Sequence, residues 1–468
     1  MTQKKTRVGD GSRSNCYLVI SVEVICSSMT SMIEKPGKLA KHHSLEMKHP
    51  FQILVTDKLG EHLFVSVKNK LLVFRLSDGV LVGTWTDTVD TQTFQEQKFK
   101  ARHEAQKLKQ EQEPASKKAK TNKKEPKVPV PGPGAPVIYN YIRSLTLTRD
   151  EHHIIGTTDS DKAAVIFLID YSKENCLALV KRQTFPKRPC AVSTSINDAD
   201  LIVADKFGDV YSIPINDERI IDEKALVPIL GHVSMLSDVF VAEHDNKQYV
   251  LTGDRDEHIK ITHFPKSYVV KQWLFGHREF VSCLNLCDFN KDILVSGGGD
   301  DYLMLWDWFN AKKLAKVELR ELIQPFLKED HYPPERFRNE DSPKEISITK
   351  VQTLTHNGAH LIIVLCENTN CLLTFEVKED FSIVHKQTFT TDKPLVDFAI
   401  VKDSIFAAVD CEDGELIEIY ALNDDLLLEK KDDELAKKIS QASDCEVESR
   451  NDFYPLYYIS SLRKRSEH

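Results

Sequence analysis

No stretch of this sequence is apolar for long enough to form a membrane-spanning helix. The longest candidate, Cys16 to Met29, is broken by Glu23 and falls short of the roughly 20 residues a spanning helix requires. Glycine and proline are scarce, at 18 and 19 of 468 residues, which excludes a collagen-like or wholly disordered chain. There is no Asn-x-Ser/Thr sequon, and the ten cysteines are scattered. The closest pairs, Cys283 with Cys287 and Cys366 with Cys371, lack the two-residue spacing of a zinc knuckle, and no partner motif follows. Reduced, structural thiols and a nuclear or cytosolic compartment follow from this. The body of the chain also lacks the alternation of strands and helices that a nucleotide or methyl-donor fold needs.

What is present is a soluble composition, 41% apolar and 28% charged, on a chain long enough for two or three domains or for one repeat array. The net charge of −9 is uneven. Residues 95–127 hold eleven Lys/Arg against five Glu, so the remainder is strongly acidic and any polyanion contact should be local. Residues 1–46 mix basic, serine-rich and short apolar runs. Lys4, Lys5 and Arg7 precede an apolar run, a weak secretory pattern that the free cysteines and absent sequons oppose. A disordered extension is expected there, with Met47 an alternative start.

From Pro50 onward the chain reads as short β-branched strands separated by turns. Four segments superimpose: GTTDSDKAAVIFLID, VADKFGDVYSIPI, TGDRDEHIKITHF and SGGGDDYLMLWDW. Their turns, at Asp161, Gly208, Asp256 and Asp300, are 47, 48 and 44 residues apart. That period is one four-stranded WD blade of about 40–45 residues. Gly231-His232 and Gly276-His277 recur, and the second leads to Trp306-Asp307. Seven blades fit, near 50–90, 138–172, 183–218, 229–266, 274–312, 345–380 and 385–422. The expected fold is therefore an all-β, seven-bladed WD-repeat propeller over 47–422, closed so that its edges are protected. Two insertions interrupt it, a basic loop at 90–136 with KKAKTNKK and PGPGAP, and a segment at 318–344. An acidic region and C-terminal tail follow at 423–468.

His277, Asp300, Ser296 and Trp306 resemble a nucleophilic triad, but the set recurs at the repeat period, whereas a nucleophile should occur once. A buried network that stiffens each blade explains it, because buried polar groups must be paired. His232, Thr252 and Asp256 are the expected counterpart one blade earlier, with the Trp member missing. Gly297–Gly299 sits in a blade turn and is no phosphate cradle. His42-His43 and His152-His153 lack metal spacing. KKAKTNKK reads as a nuclear-import address, as a solvated charge run, or as a loose phosphate contact.

Six strings stand in order: IYNYIRSLTLT (138–148), ADKFGDVYSI (204–213), LGHVSMLSDV (230–239), DRDEHIKITHFP (254–265), WLFGHREFVS (273–282) and YPLYYISSLRKRSEH (454–468). From about residue 49 to the C-terminus, the chain resembles the WD-repeat, non-catalytic subunit of the fungal tRNA (guanine-N(7)-)-methyltransferase. The resemblance implies a heterodimer. Its catalytic subunit would bind S-adenosylmethionine and methylate a guanosine in the tRNA variable loop, while this chain would stabilise the active conformation and hold no cofactor or metal. It also implies that DRDEHIK faces the partner, through Asp254, Arg255, Glu257 and Lys260. Lys206 and Phe207 occupy the equivalent turn of the preceding blade and should lie on the same face, Phe207 as an exposed anchor. Lys187 and Arg188 are further candidates for partner or tRNA phosphate contact. The nucleus is the expected location, the cytoplasm an alternative.

Two other function classes stand beside this one. A general WD-repeat platform, such as a ubiquitin-ligase substrate receptor or a chromatin reader, would show a basic or aromatic pocket at the central channel. An enzyme would need a non-repeated catalytic cluster, and the sequence offers none.

Overall fold

The computed structural model describes residues 47–90, 139–431 and 434–465, with Gln97, Lys100 and Glu104 between the first two segments. Across these residues the strands build seven four-stranded antiparallel sheets, each from four consecutive strands. Inner strands run at Ile53–Thr56, Ile142–Leu147, Pro189–Thr194, Leu236–His244, Val281–Leu286, Ile348–His356 and Leu395–Val401. Each touches the inner strand of the next blade, and the first touches the last, so the sheets form a ring. The fold is a seven-bladed β-propeller.

Blade packing explains why the sequence alternates only partly. Second strands such as His62–Val67 and Ile293–Gly298 are buried at every position, since a neighbouring blade covers each face. Outer strands such as Lys312–Glu318 are covered less and carry the lysines. Inner strands couple to their neighbours through side chains as well as packing. Asp397 Oδ2 accepts the Leu54 N–H at 2.7 Å, and Asp238 Oδ2 accepts that of Leu284 at 2.7 Å. The first of these bonds closes the ring between blades 7 and 1.

Blade boundaries lie later than the sequence repeat suggests. Leu177–Thr184, Leu230–Gly231, Val270–Leu274 and Ile383–Thr390 are outer strands of blades 2, 3, 4 and 6, although all four overlap the next repeat unit in the sequence reading. In blades 3 and 4 a Gly-His pair stands at or just past the outer strand's end, and its histidine reaches into the next blade. The sequence unit is thus offset from the sheet by one strand.

Residues 423–465 are not a loose acidic appendage. Leu428–Lys431 is the outer strand of blade 7, and the helix Glu434–Ala442 follows, burying Ala436 and Ile439. Glu446–Val447 then pairs antiparallel with Met47–Lys48. The segment after blade 5 is also ordered: Arg320–Ile323 is a short helix, and three 3-10 turns lead to Ile348. The N-terminal extension and the KKAKTNKK run lie outside the described residues.

Candidate partner-docking surface

The face that matters is fixed by topology. In an antiparallel blade, the turn between the second and third strands and the loop leading to the next blade emerge at the same end. The turns 205–209 and 254–259, the loops 185–188 and 232–235, and the long segment 319–347 therefore share one face of the ring.

Two polar networks make this face rigid. In blade 5, His277 Nδ1 lies 2.7 Å from Asp300 Oδ2, and its Nε2 lies 2.7 Å from Ser296 Oγ. Trp306 Nε1–H donates to the same Ser296 Oγ at 2.8 Å. The serine proton then goes to His277 Nε2, and His277 Nδ1–H donates to Asp300, so a neutral imidazole satisfies every member. In blade 4, His232 Nε2 meets Thr252 Oγ1 at 2.7 Å, and Nδ1 meets a carboxylate at 2.9 Å. That carboxylate belongs to Asp254, which corrects the assignment of Asp256. Asp254 is 3% exposed, so it is a framework residue and not a docking contact. Burial holds His232 below the usual histidine value, with Asp254 opposing. Burial would raise Asp254, but bonds from His232 and from the His258 and Asp256 N–H groups outweigh it and hold it low.

Lys260 is also drawn inward, contrary to its expected place among surface charges. It is 8% exposed, donates to the Gly231 carbonyl at 2.7 Å, and lies 5.1 Å from the Trp273 ring centre. Burial holds its ammonium below the usual lysine value. Its register opposite Thr252 gives it an inward-facing position that charge pattern alone does not disclose.

The other candidates remain at the surface. Glu257 is exposed at the tip of its turn with φ 72°, and Lys206 is exposed in the adjacent turn. Phe207 is 55% exposed and is flanked by Lys187 Nζ at 3.9 Å and Lys206 Nζ at 5.7 Å. Arg188 is partly buried and points to Asp159, at 3.6 Å. Arg255 is half-buried because its Nε donates to the Leu462 carbonyl at 2.6 Å. Gly208 packs so closely on His232 and Ser234 that a Cβ there would overlap their carbonyls, at 2.4 and 2.6 Å. This glycine, at φ 98°, lets the two blades' loops touch, and the surface is continuous across them. Sequence reasoning missed Phe275, 62% exposed and edge-on to His258 at 6.2 Å, and Val233, which is fully exposed. Their signal was the apolar residue on either side of the Gly-His pairs.

The C-terminal tail crosses the ring on this same face. His49 Nε2 accepts the Tyr454 N–H at 2.8 Å, and Glu367 accepts those of Ile459 and Ser460 at 2.6 and 2.7 Å. Beyond them, Arg463 pairs with Glu279 at 2.8 Å, Lys464 with Asp256, and Arg465 with Glu345 at 2.6 Å. Below lies a channel of about 1410 Å³ lined by the inner strands of all seven blades, with Pro455, Tyr458, Ile459 and Leu462 along its mouth. Burial pushes the Cys283 and Cys371 thiols up to about 12, which leaves them poor nucleophiles. Among the described residues no group of His, Cys, Asp or Glu is arranged to hold a metal.

Comparison with known proteins converges on one family. The family model "tRNA methyltransferase TRM82 WD40 domain" matches residues 63–228 and 217–419. A Debaryomyces hansenii protein named tRNA (guanine-N(7)-)-methyltransferase non-catalytic subunit TRM82 is 57% identical over 446 residues, covering 90% of this chain and all of that protein. The protein of the same name from Saccharomyces cerevisiae is 37% identical over 448 residues, covering 90% and 99%. Among solved structures, a chain of the Mitotic Checkpoint Complex aligns with TM-score 0.52 over 87% of this chain and 99% of its own, at 11% identity, a likeness of fold alone.

Proposed function

Because this chain belongs to the TRM82 family of tRNA (guanine-N(7)-)-methyltransferase non-catalytic subunits, we propose that it pairs with one catalytic subunit as a heterodimer and holds that subunit in its active conformation. As a non-catalytic subunit it carries no reaction centre. S-adenosylmethionine belongs to the partner, which methylates a variable-loop guanosine at N7. Linkage supplies the mechanism: a rigid surface that binds only the active arrangement shifts the partner's population toward it.

The observation that carries this reading is the patch joining blades 3 and 4. Phe207, Val233 and Phe275 are exposed on its loops, Phe207 lies against Lys187 and Lys206, and Glu257 is exposed at the blade 4 turn. Exposed aromatics beside charged side chains fit a specific protein interface, with the charges setting register. A general interaction platform would instead present an open pocket at the central channel, and the chain's own tail lies along that mouth. We place the complex in the nucleus, with KKAKTNKK as the import address.

The test is co-purification of the tagged protein from its host, together with assay of 7-methylguanosine in tRNA after its deletion. Recovery of one methyltransferase-fold partner and loss of the modification are expected. The double variant Phe207→Asp, Phe275→Asp should remain folded and lose the partner, with affinity falling about 100-fold. A different partner set with intact modification would overturn the function, and an unaffected complex would overturn the surface.

A further inference from the structure

We propose that the cleft formed by blade 5, the 319–347 segment and the end of the tail binds the phosphate backbone of the tRNA; this rests on the function proposed above.

The cleft has a volume of about 790 Å³ and adjoins a second of about 430 Å³ that shares Arg278, Tyr302 and Lys316 with it. Together they make one furrow running from the outer strand of blade 5 to the inserted segment. Among the described residues lining the larger cleft, nine are Lys or Arg and five are Asp or Glu. On a chain of net charge −9 this is a local reversal of sign.

The carboxylates are already engaged. Asp300 holds His277, Asp301 holds Arg320 at 2.6 Å, and Glu318 holds Lys316 at 2.6 Å. Glu279 pairs with Arg463 at 2.8 Å, and Glu345 with Arg465 at 2.6 Å. Arg278, Arg336 and Arg338 are left exposed, with no carboxylate within ion-pair distance among the described residues. Two of them are held without being neutralised. The Arg336 guanidinium carbon lies 4.5 Å from the Phe337 ring centre, and that of Arg338 lies 3.8 Å from the Tyr332 ring centre. A guanidinium fixed by its face against a ring keeps its edge of N–H donors free, and that planar fork matches a phosphate in bidentate fashion. Phe337 and Tyr332 are in turn fixed by the insertion, which Arg320 ties to Asp301 and to the Lys344 carbonyl at 2.7 Å.

The shape favours a backbone over a free phosphate or a base. The furrow is open and extended, and its cations are spread along it instead of converging on one point. Contacts of this kind position a nucleic acid without reading its sequence. The insertion would therefore add tRNA affinity from this subunit while chemistry stays with the partner.

The test uses the full-length chain reconstituted with its catalytic subunit and a tRNA transcript as probe. Affinity is measured across a salt series for the wild type, for Arg278→Glu with Arg336→Glu and Arg338→Glu, and for the corresponding triple lysine variant. The glutamate variant should bind tRNA at least about tenfold more weakly, with a salt slope shallower by about two to three, since each lost phosphate contact removes close to one. KM for tRNA should rise while turnover at saturating tRNA is kept, and the lysine variant should fall between the glutamate variant and wild type, keeping the charge and losing the bidentate fork. Unchanged affinity and slope would overturn the inference, as would loss of the catalytic subunit with tRNA affinity intact, which would mark a protein contact. If the wild-type chain failed to activate any methyltransferase, the function proposed above would fall separately, and the salt series on this chain alone would still decide the cleft.

Discussion

Blades 4 and 5 use the same histidine device, with the acid moved and the Trp member absent in blade 4. Aligning Thr252 with Ser296 places Asp256 opposite Asp300 and Asp254 opposite Gly298. Blade 5 draws its carboxylate from the turn, where Asp300 also accepts the Arg278 N–H at 3.1 Å. Gly298 cannot supply one, since even a Cβ there would run into the Phe280 carbonyl at 1.8 Å. In blade 4 the strand end itself provides Asp254, and Asp256 is released to take Ser234 and Lys464. The closed blade is a strut. The altered one keeps its stiffness and gains a handle for the tail. A two-residue shift in one acid thus turns a framework position into a contact position.

The comparison can be broken most severely in blade 5. His277→Ala leaves Ser296 and Asp300 each short of a buried partner and opens a cavity, so it should cost about 3 kcal/mol in chemical denaturation. Blade 4 supplies the sharper contrast. Asp254→Asn should cost about 2 kcal/mol, because the imidazole N–H loses its charged acceptor. Asp256→Asn should stay within about 0.5 kcal/mol of wild type, while making the Arg463–Arg465 end more open to limited proteolysis. Equal costs for the two variants would restore Asp256 to the network.

Acid should act on the tail's other anchor. Burial pushes His49 down from 6.5 to about 4, with the bond to the Pro50 carbonyl opposing. The unfolded chain therefore takes up the proton first, and stability falls as pH drops from 6.5 toward 4. The slope should reach about 1.4 kcal/mol per pH unit within that window and flatten below it. His49→Gln should remove this component, visible as the difference between the two denaturation profiles at pH 7 and pH 5.

Much of this molecule is legible in one dimension. Strand period, turn residues and a step of 44 to 48 residues identify a propeller, because each blade is a local unit whose strands are consecutive. The blade 5 network is legible too, since Gly-His and Trp-Asp bracket it. Exposed Phe207 is legible as a large apolar residue where a turn needs only a small polar one.

What tertiary structure decided is whatever depends on register and on distant chain. Asp254 and Asp256 are both acids in one turn, and only the strand pairing aims the first at His232. Lys260 reads as a surface charge, yet alternation along its strand turns it under Trp273. Arg255 reads as free, yet a carbonyl from residue 462 meets it across the ring. The 319–347 segment has no repeat to interpret it, and its cleft exists only because the tail's arginines arrive there from more than a hundred residues away. Local patterning dictates which residues form strands; long-range closure of the ring decides which side chains those strands bring together.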